Sequence, residues 1–203
     1  IPFWSLTVYY SWQSFKNDKT YNWILFGLFA GLGILSKYLF IYLLVGIKLF
    51  FIFYLKKNKK FNFKYFIPII VFLLVLSPHL KWLTDNDYKT IAYGLKRTSL
   101  ENSTLLNHLI YPIKFIFKQV GTLLPFFILV SLIFKNFKIK LKLNQHDEKS
   151  IFLICVTFVP ILLMLTTSLV FAANIRTMWM TPFYLFFGLF FIYHYKTKIN
   201  LNF

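Results

Sequence analysis

Apolar runs alternate with short polar, lysine-bearing stretches along the whole chain. The runs occupy 1–15, 23–35, 38–55, 65–83, 111–134, 151–172 and 182–195. A helix rises 1.5 Å per residue, so about 20 apolar residues cross a hydrocarbon layer about 30 Å thick. Several runs reach that length. Run 23–35 is short by this measure, and together with 38–55 it reads equally as one very long helix interrupted at Ser36-Lys37-Tyr38. The pattern predicts an all-α, polytopic transmembrane protein of about seven spans. It forms one membrane domain over 1–203, with a long loop at 84–110.

The positions of the lysines choose between one helix and two. Lys56, Lys57, Lys59, Lys60 and Lys64 form one basic loop, and Lys135, Lys138, Lys140, Lys142 and Lys149 another. Lys16 and Lys19 follow the first run; Lys196 and Lys198 follow the last. Basic loops are retained in the cytoplasm. All four segments reach that side only if 23–35 and 38–55 are separate helices that turn at Ser36-Lys37-Tyr38 on the outer side. Lys48, Lys114 and Lys118 fall within runs, from which long side chains can snorkel to the interface.

Composition agrees with lipid as the solvent: 58% of residues are hydrophobic, 22% aromatic and 14% charged, against about 25% charged in soluble domains. The net charge of +17 would suggest nucleic acid in a soluble protein. Here the lysines sit between apolar runs, which fits topology determinants and anionic lipid headgroups, with no nucleic-acid partner. Cys155, the single cysteine, lies inside an apolar run and supports neither a disulfide framework nor a thiolate metal site. The chain opens with Ile1, straight into an apolar run without a basic leader, and is expected to be a fragment of a longer protein.

The outer side collects the chemically varied residues. Lys37 places a cation at or near membrane depth, where a charge needs water, a partner or an anionic ligand. It either meets a phosphate or carboxylate or snorkels to the headgroups. In Ser77-Pro78-His79-Leu80-Lys81-Trp82 the proline is expected to bend or restart the span. Trp82 suits an interfacial anchor, and His79 either serves a ligand or bonds a neighbouring backbone group. Asp85-Asn86-Asp87 offers helix caps. Tyr88, Ile91, Ala92 and Leu95 then recur at helical spacing, which predicts a juxtamembrane amphipathic helix on the outer surface. Arg97 at its end can grip a lipid phosphate through two parallel N–H donors or compensate the helix dipole. Asp85 and Asp87 are too close in sequence to face each other as a catalytic carboxylate pair on a helix. Asn102-Ser103-Thr104 matches a glycosylation acceptor on the expected side. In Asn174-Ile175-Arg176-Thr177-Met178-Trp179, a helical turn would put Arg176 and Trp179 on one face. The tryptophan could recognise a cation, stack on a sugar or anchor at the interface. Gly27, Gly31 and Gly33 fall within runs and suit close helix packing. No zinc-type histidine or cysteine spacing occurs.

These segments carry a resemblance. The stretch from Trp23 through Gly27, Gly31 and Leu32 to Ser36-Lys37-Tyr38 resembles the W-x-x-x-G-L-x-x-G-L-x-x-L-S-K-Y stretch of bacterial GT-C glycosyltransferases. The type is the dolichyl-phosphate-mannose–protein mannosyltransferases, which are similar to the aminoarabinose transferases that modify lipid A. Ser77 to Trp82, followed by Asn86-Asp87-Tyr88 and Arg97, looks like that family's loop after a central span. Arg176 to Pro182 resembles its later loop-to-helix entry. The resemblance implies an enzyme of a bacterial inner membrane. A sugar would pass, with inversion, from a polyprenyl-phosphate donor to a lipid, glycan or protein acceptor at the outer face. It further implies phosphate contact by Lys37 and Arg97, with Arg176 third, and places His79, Asp87 and Trp179 in the substrate region. It fixes no cofactor, leaves room for a divalent metal, and leaves the oligomeric state open. The family's catalytic acid is expected upstream of Ile1, which would leave this fragment inactive. Rival readings are a transporter or flippase using Lys37 and Lys48 for a moving anion, and a non-catalytic membrane subunit.

Overall fold

The structure, a computed structural model, describes residues 1–58, 62–98, 104–133 and 147–195. Within them the chain is helical: α1 (Pro2–Asn17), α2 (Thr20–Ser36), α3 (Ile41–Asn58), α4 (Ile67–Asp85), α5 (Lys89–Lys96), α6 (Asn107–Ile133), α7 (Glu148–Phe171) and α8 (Phe187–Tyr195). Four segments are long and apolar enough to cross a membrane: Tyr38–Lys57, Phe63–Asp85, Asn107–Leu132 and Glu148–Phe171. Helix α2 is apolar but shorter. The second basic loop apart from Lys149, the C-terminal lysines, Lys59, Lys60, Glu101 and most of the glycosylation tripeptide lie outside the described residues.

The chain breaks between α2 and α3. Lys37 takes an extended backbone, and one short 3-10 turn, Tyr38–Phe40, separates the two helices. The break is consolidated by packing, since a Cβ on Gly33 would lie 2.4 Å from the Phe40 ring. The aromatic ring uses the space that glycine leaves.

Close approach also explains the other glycines. A Cβ on Gly27 would stand 2.5 Å from the Pro68 carbonyl oxygen, and one on Gly31 2.7 Å from Val75. Helix α2 therefore lies directly on α4, with α1 on its other side. Gly46 does the same between α3 and α7, 2.6 Å from the Cys155 carbonyl. The buried centre, including Trp4, Phe40, Leu43, Phe50, Val156, Met180 and Phe183, lies among α1, α3, α7 and the segment entering α8. Large apolar side chains meanwhile line the outside of α4 and α6, such as Leu73, Leu74, Phe117 and Leu129. That inversion suits a lipid solvent.

Around α4 the structure decides two points. Of the two outcomes expected at Pro78, bend or restart, the restart does not occur, and the helix continues to Asp85. Proline leaves the carbonyl four residues back without its usual donor. Here that carbonyl belongs to Leu74, and the Ser77 hydroxyl donates to it at 2.9 Å. Nor do Asp85, Asn86 and Asp87 cap α5, whose N-cap is Tyr88 and lacks a side-chain cap bond. They close α4 instead. Asp85 is its last residue, and the Asn86 side chain donates to the Trp82 carbonyl at 2.9 Å. Asp87 takes a left-handed backbone with φ 51°, and the Tyr88 N–H reaches back to the Leu83 carbonyl at 3.0 Å. That is the six-to-one bond of a Schellman helix end.

Candidate functional site

One end of the bundle gathers residues from the α2–α3 break, the end of α4, helix α5 and the segment between α7 and α8. Lys37 is half-buried in the break, and its ammonium donates to the Trp179 backbone carbonyl at 3.1 Å. Burial draws its pKa below the ordinary lysine value, because desolvation disfavours the charged form. Trp179 closes the short turn Thr177–Trp179, which the chain reaches after reversing at Ala172.

The same tryptophan receives Arg97. Its guanidinium carbon lies 6.0 Å from the centre of the Trp179 ring and 5.5 Å from that of Tyr93. Contact with the ring faces leaves the in-plane N–H donors for another partner. The backbone secures this approach: the Asn174 N–H donates to the Thr98 carbonyl at 2.9 Å, tying the end of α5 to the α7–α8 segment. Among the described residues, neither Lys37 nor Arg97 has a carboxylate within ion-pair distance. Two cations thus converge on one residue without neutralisation.

Beside them, the Tyr38 hydroxyl hydrogen-bonds both His79 Nε2 and Thr90 Oγ1, each at 2.8 Å. The His79 ring stacks on Trp82, at 5.9 Å between centroids and 11° between planes. The His79 side chain thus bonds a tyrosine hydroxyl from the break and not a neighbouring backbone group. On the other flank, His108 Nδ1 bonds the Leu169 carbonyl at 2.8 Å, joining α6 to the end of α7.

Of the six residues singled out from sequence, Lys37 and Arg97 therefore meet at Trp179, and His79 is tied to the same break through Tyr38. Two do not. Asp87 is exposed and sits in the helix-closing turn, with no side-chain hydrogen bond or ion pair to a described residue. Arg176 is exposed as well. The cation at the Trp179 ring is Arg97. The turn does form, but only the Arg176 carbonyl takes part, accepting from the Trp179 N–H at 3.0 Å. Sequence reading missed Tyr38, Tyr93, Thr90 and the Thr98–Asn174 link. Tyr38 could have been marked by its place beside Lys37; the others carry no local signal. Among the described residues, no three His, Cys, Asp or Glu side chains come together as metal ligands.

Spanning-length apolar helices with a polar cluster at one end define an integral membrane protein. Residues 1–82 match the model of a family described as dolichyl-phosphate-mannose-protein mannosyltransferase. The matched segment takes in Lys37, Tyr38, His79 and Trp82 and stops before Arg97 and Trp179. No curated protein and no solved structure matches the chain.

Proposed function

We propose that this chain belongs to a membrane glycosyltransferase that takes a sugar from a polyprenyl-phosphate donor, with Lys37 and Arg97 holding the donor's phosphate. The observation that carries the reading is their convergence on Trp179, with no carboxylate at ion-pair distance among the described residues. A phosphate placed there would accept from the Lys37 ammonium and from the in-plane N–H groups of Arg97. In the reaction, the bond from the anomeric carbon to the phosphate oxygen breaks as the acceptor hydroxyl oxygen attacks from the opposite face. The polyprenyl phosphate departs carrying that bond's electron pair, and the acceptor's proton passes to water. Cations already fixed where negative charge grows lower such a barrier. The family description of residues 1–82 supports the donor class. Acceptor, sugar and inversion extend the same proposal, as does the orientation that puts this end outside and the basic loops in the cytoplasm.

The transporter reading asks Lys37 and Lys48 to share a moving anion. Lys48 lies on α3 with its side chain exposed, and no contact links it to the cluster. The test is direct: the purified full-length protein is offered polyprenyl-phosphate sugars, and transfer or hydrolysis is followed. Failure of both would sink the enzymatic reading.

A further inference from the structure

The opposite end of the bundle holds a cavity of about 440 Å³ between the end of α1, the end of α3 and the start of α7. Trp12 and Phe50 give it an aromatic wall, braced by Phe152, whose ring centre lies 5.0 Å from that of Trp12 and 4.9 Å from that of Phe50. Phe15, Tyr54, three lysines and two acids line the rest. Both acids are engaged within the protein. Glu148 pairs with Lys57 at 2.8 Å. Asp147 accepts from the Tyr193 hydroxyl at 2.5 Å and from the Lys149 backbone N–H at 3.1 Å. The ammonium groups of Lys16 and Lys149 have no carboxylate within ion-pair distance among the described residues. The cavity thus presents two lysines outside any ion pair, and with the Asp147 carboxylate counted an excess of one positive charge, beside an apolar wall.

We infer that this cavity seats the phosphate of a phospholipid headgroup from the leaflet at this end. Depth separates a lipid from a dissolved anion. Lys57 is the last residue of one spanning-length segment and Glu148 the first of another, so the cavity lies at the membrane boundary. A phosphodiester there meets Lys16 and Lys149 while its glycerol and first methylenes lie against Trp12 and Phe50. The site is independent of the donor cluster, because the residues from Lys37 to Lys57 separate them along α3, about 30 Å at the helical rise.

The test uses the purified protein in detergent, titrated with phosphatidylglycerol and, separately, with diacylglycerol and with inorganic phosphate, reading bound species by native mass spectrometry. One phosphatidylglycerol is retained preferentially. The double variant Lys16→Glu/Lys149→Glu weakens it at least about tenfold, because two charge-assisted contacts to the phosphate become repulsive. Reversal at Lys19 and Lys56, exposed lysines outside the cavity, leaves affinity within about threefold, since exposed charges act diffusely and are screened. The milder Lys16→Gln/Lys149→Gln pair serves if the reversed protein does not fold, and Lys16→Arg/Lys149→Arg keeps binding. Equal retention of diacylglycerol, equal loss on reversing Lys19 and Lys56, or competition by inorganic phosphate at matching affinity would each overturn the inference.

Discussion

Arg97 shows how much a single side chain's shape can matter. Its guanidinium rests on two rings, so its value to a phosphate lies in the planar edge, and lysine keeps the charge without that edge. Arg97→Lys is expected to insert normally and to lose transfer activity by about tenfold to a hundredfold, since a charged hydrogen bond contributes about 1.5–3 kcal/mol. Unchanged turnover would remove Arg97 from the phosphate site. Lys37 adds a pH signature. Its pKa is lowered by burial, so the ammonium loses its proton at a lower pH than an ordinary lysine does. Donor KM is expected to rise as pH climbs through that lowered value, and Lys37→Arg, charged throughout, to flatten the rise. Asp87 provides the contrast. Asn also tolerates the left-handed backbone, so Asp87→Asn should leave both melting temperature and activity unchanged. A loss of activity at unchanged stability would return Asp87 to the substrate site.

At the scale of elements, sequence was most informative where charge interrupted an apolar pattern. Lys37 between two runs, with lysine-rich loops on either side, made two helices with a turn the consistent reading, and the backbone breaks at that residue. At Pro78 it left bend and restart open, and the Ser77 hydroxyl, which supplies the donor that proline lacks, accompanies a helix that does not restart. It misled at Asp85 to Asp87 because capping residue types do not say which of two adjoining helices they cap. The Lys37–Trp179 bond joins residues 142 apart, and no periodic pattern encodes such a pairing. Glycine spacing, by contrast, did announce close packing. Gly27→Ala would press a methyl onto the Pro68 backbone, and overpacking of this kind costs about 1–3 kcal/mol. A clear drop in thermal stability in detergent is expected, whereas Gly94→Ala, with open space around it, should show none.

For the whole molecule, the two ends differ in chemistry. One carries His79, His108 and both arginines; among the described residues the other carries the Asp18–Lys64 pair at 3.2 Å, the Lys57–Glu148 pair and Lys16, Lys19, Lys56 and Lys149. Lysine-rich loops favour the cytoplasm, and the proposed orientation, with the donor site outward, follows that rule. In a Cys155→Ser background, a cysteine at Thr90 is expected to react with a membrane-impermeant maleimide in intact cells, and one at Lys19 only after the membrane is opened. The reverse pattern would invert the topology and put the cluster on the wrong side for an outer-leaflet donor.

Residue 179 holds its two cations by different means: Arg97 by its ring, Lys37 by its main-chain oxygen. A mutational scan can erase the first and never the second, because every amino acid brings the same carbonyl. Substitutions at 179 would therefore understate what the position does. Lengthening or shortening the loop between Ala173 and Thr181 by one residue would move ring and carbonyl together, and is the change to which the site should be least tolerant.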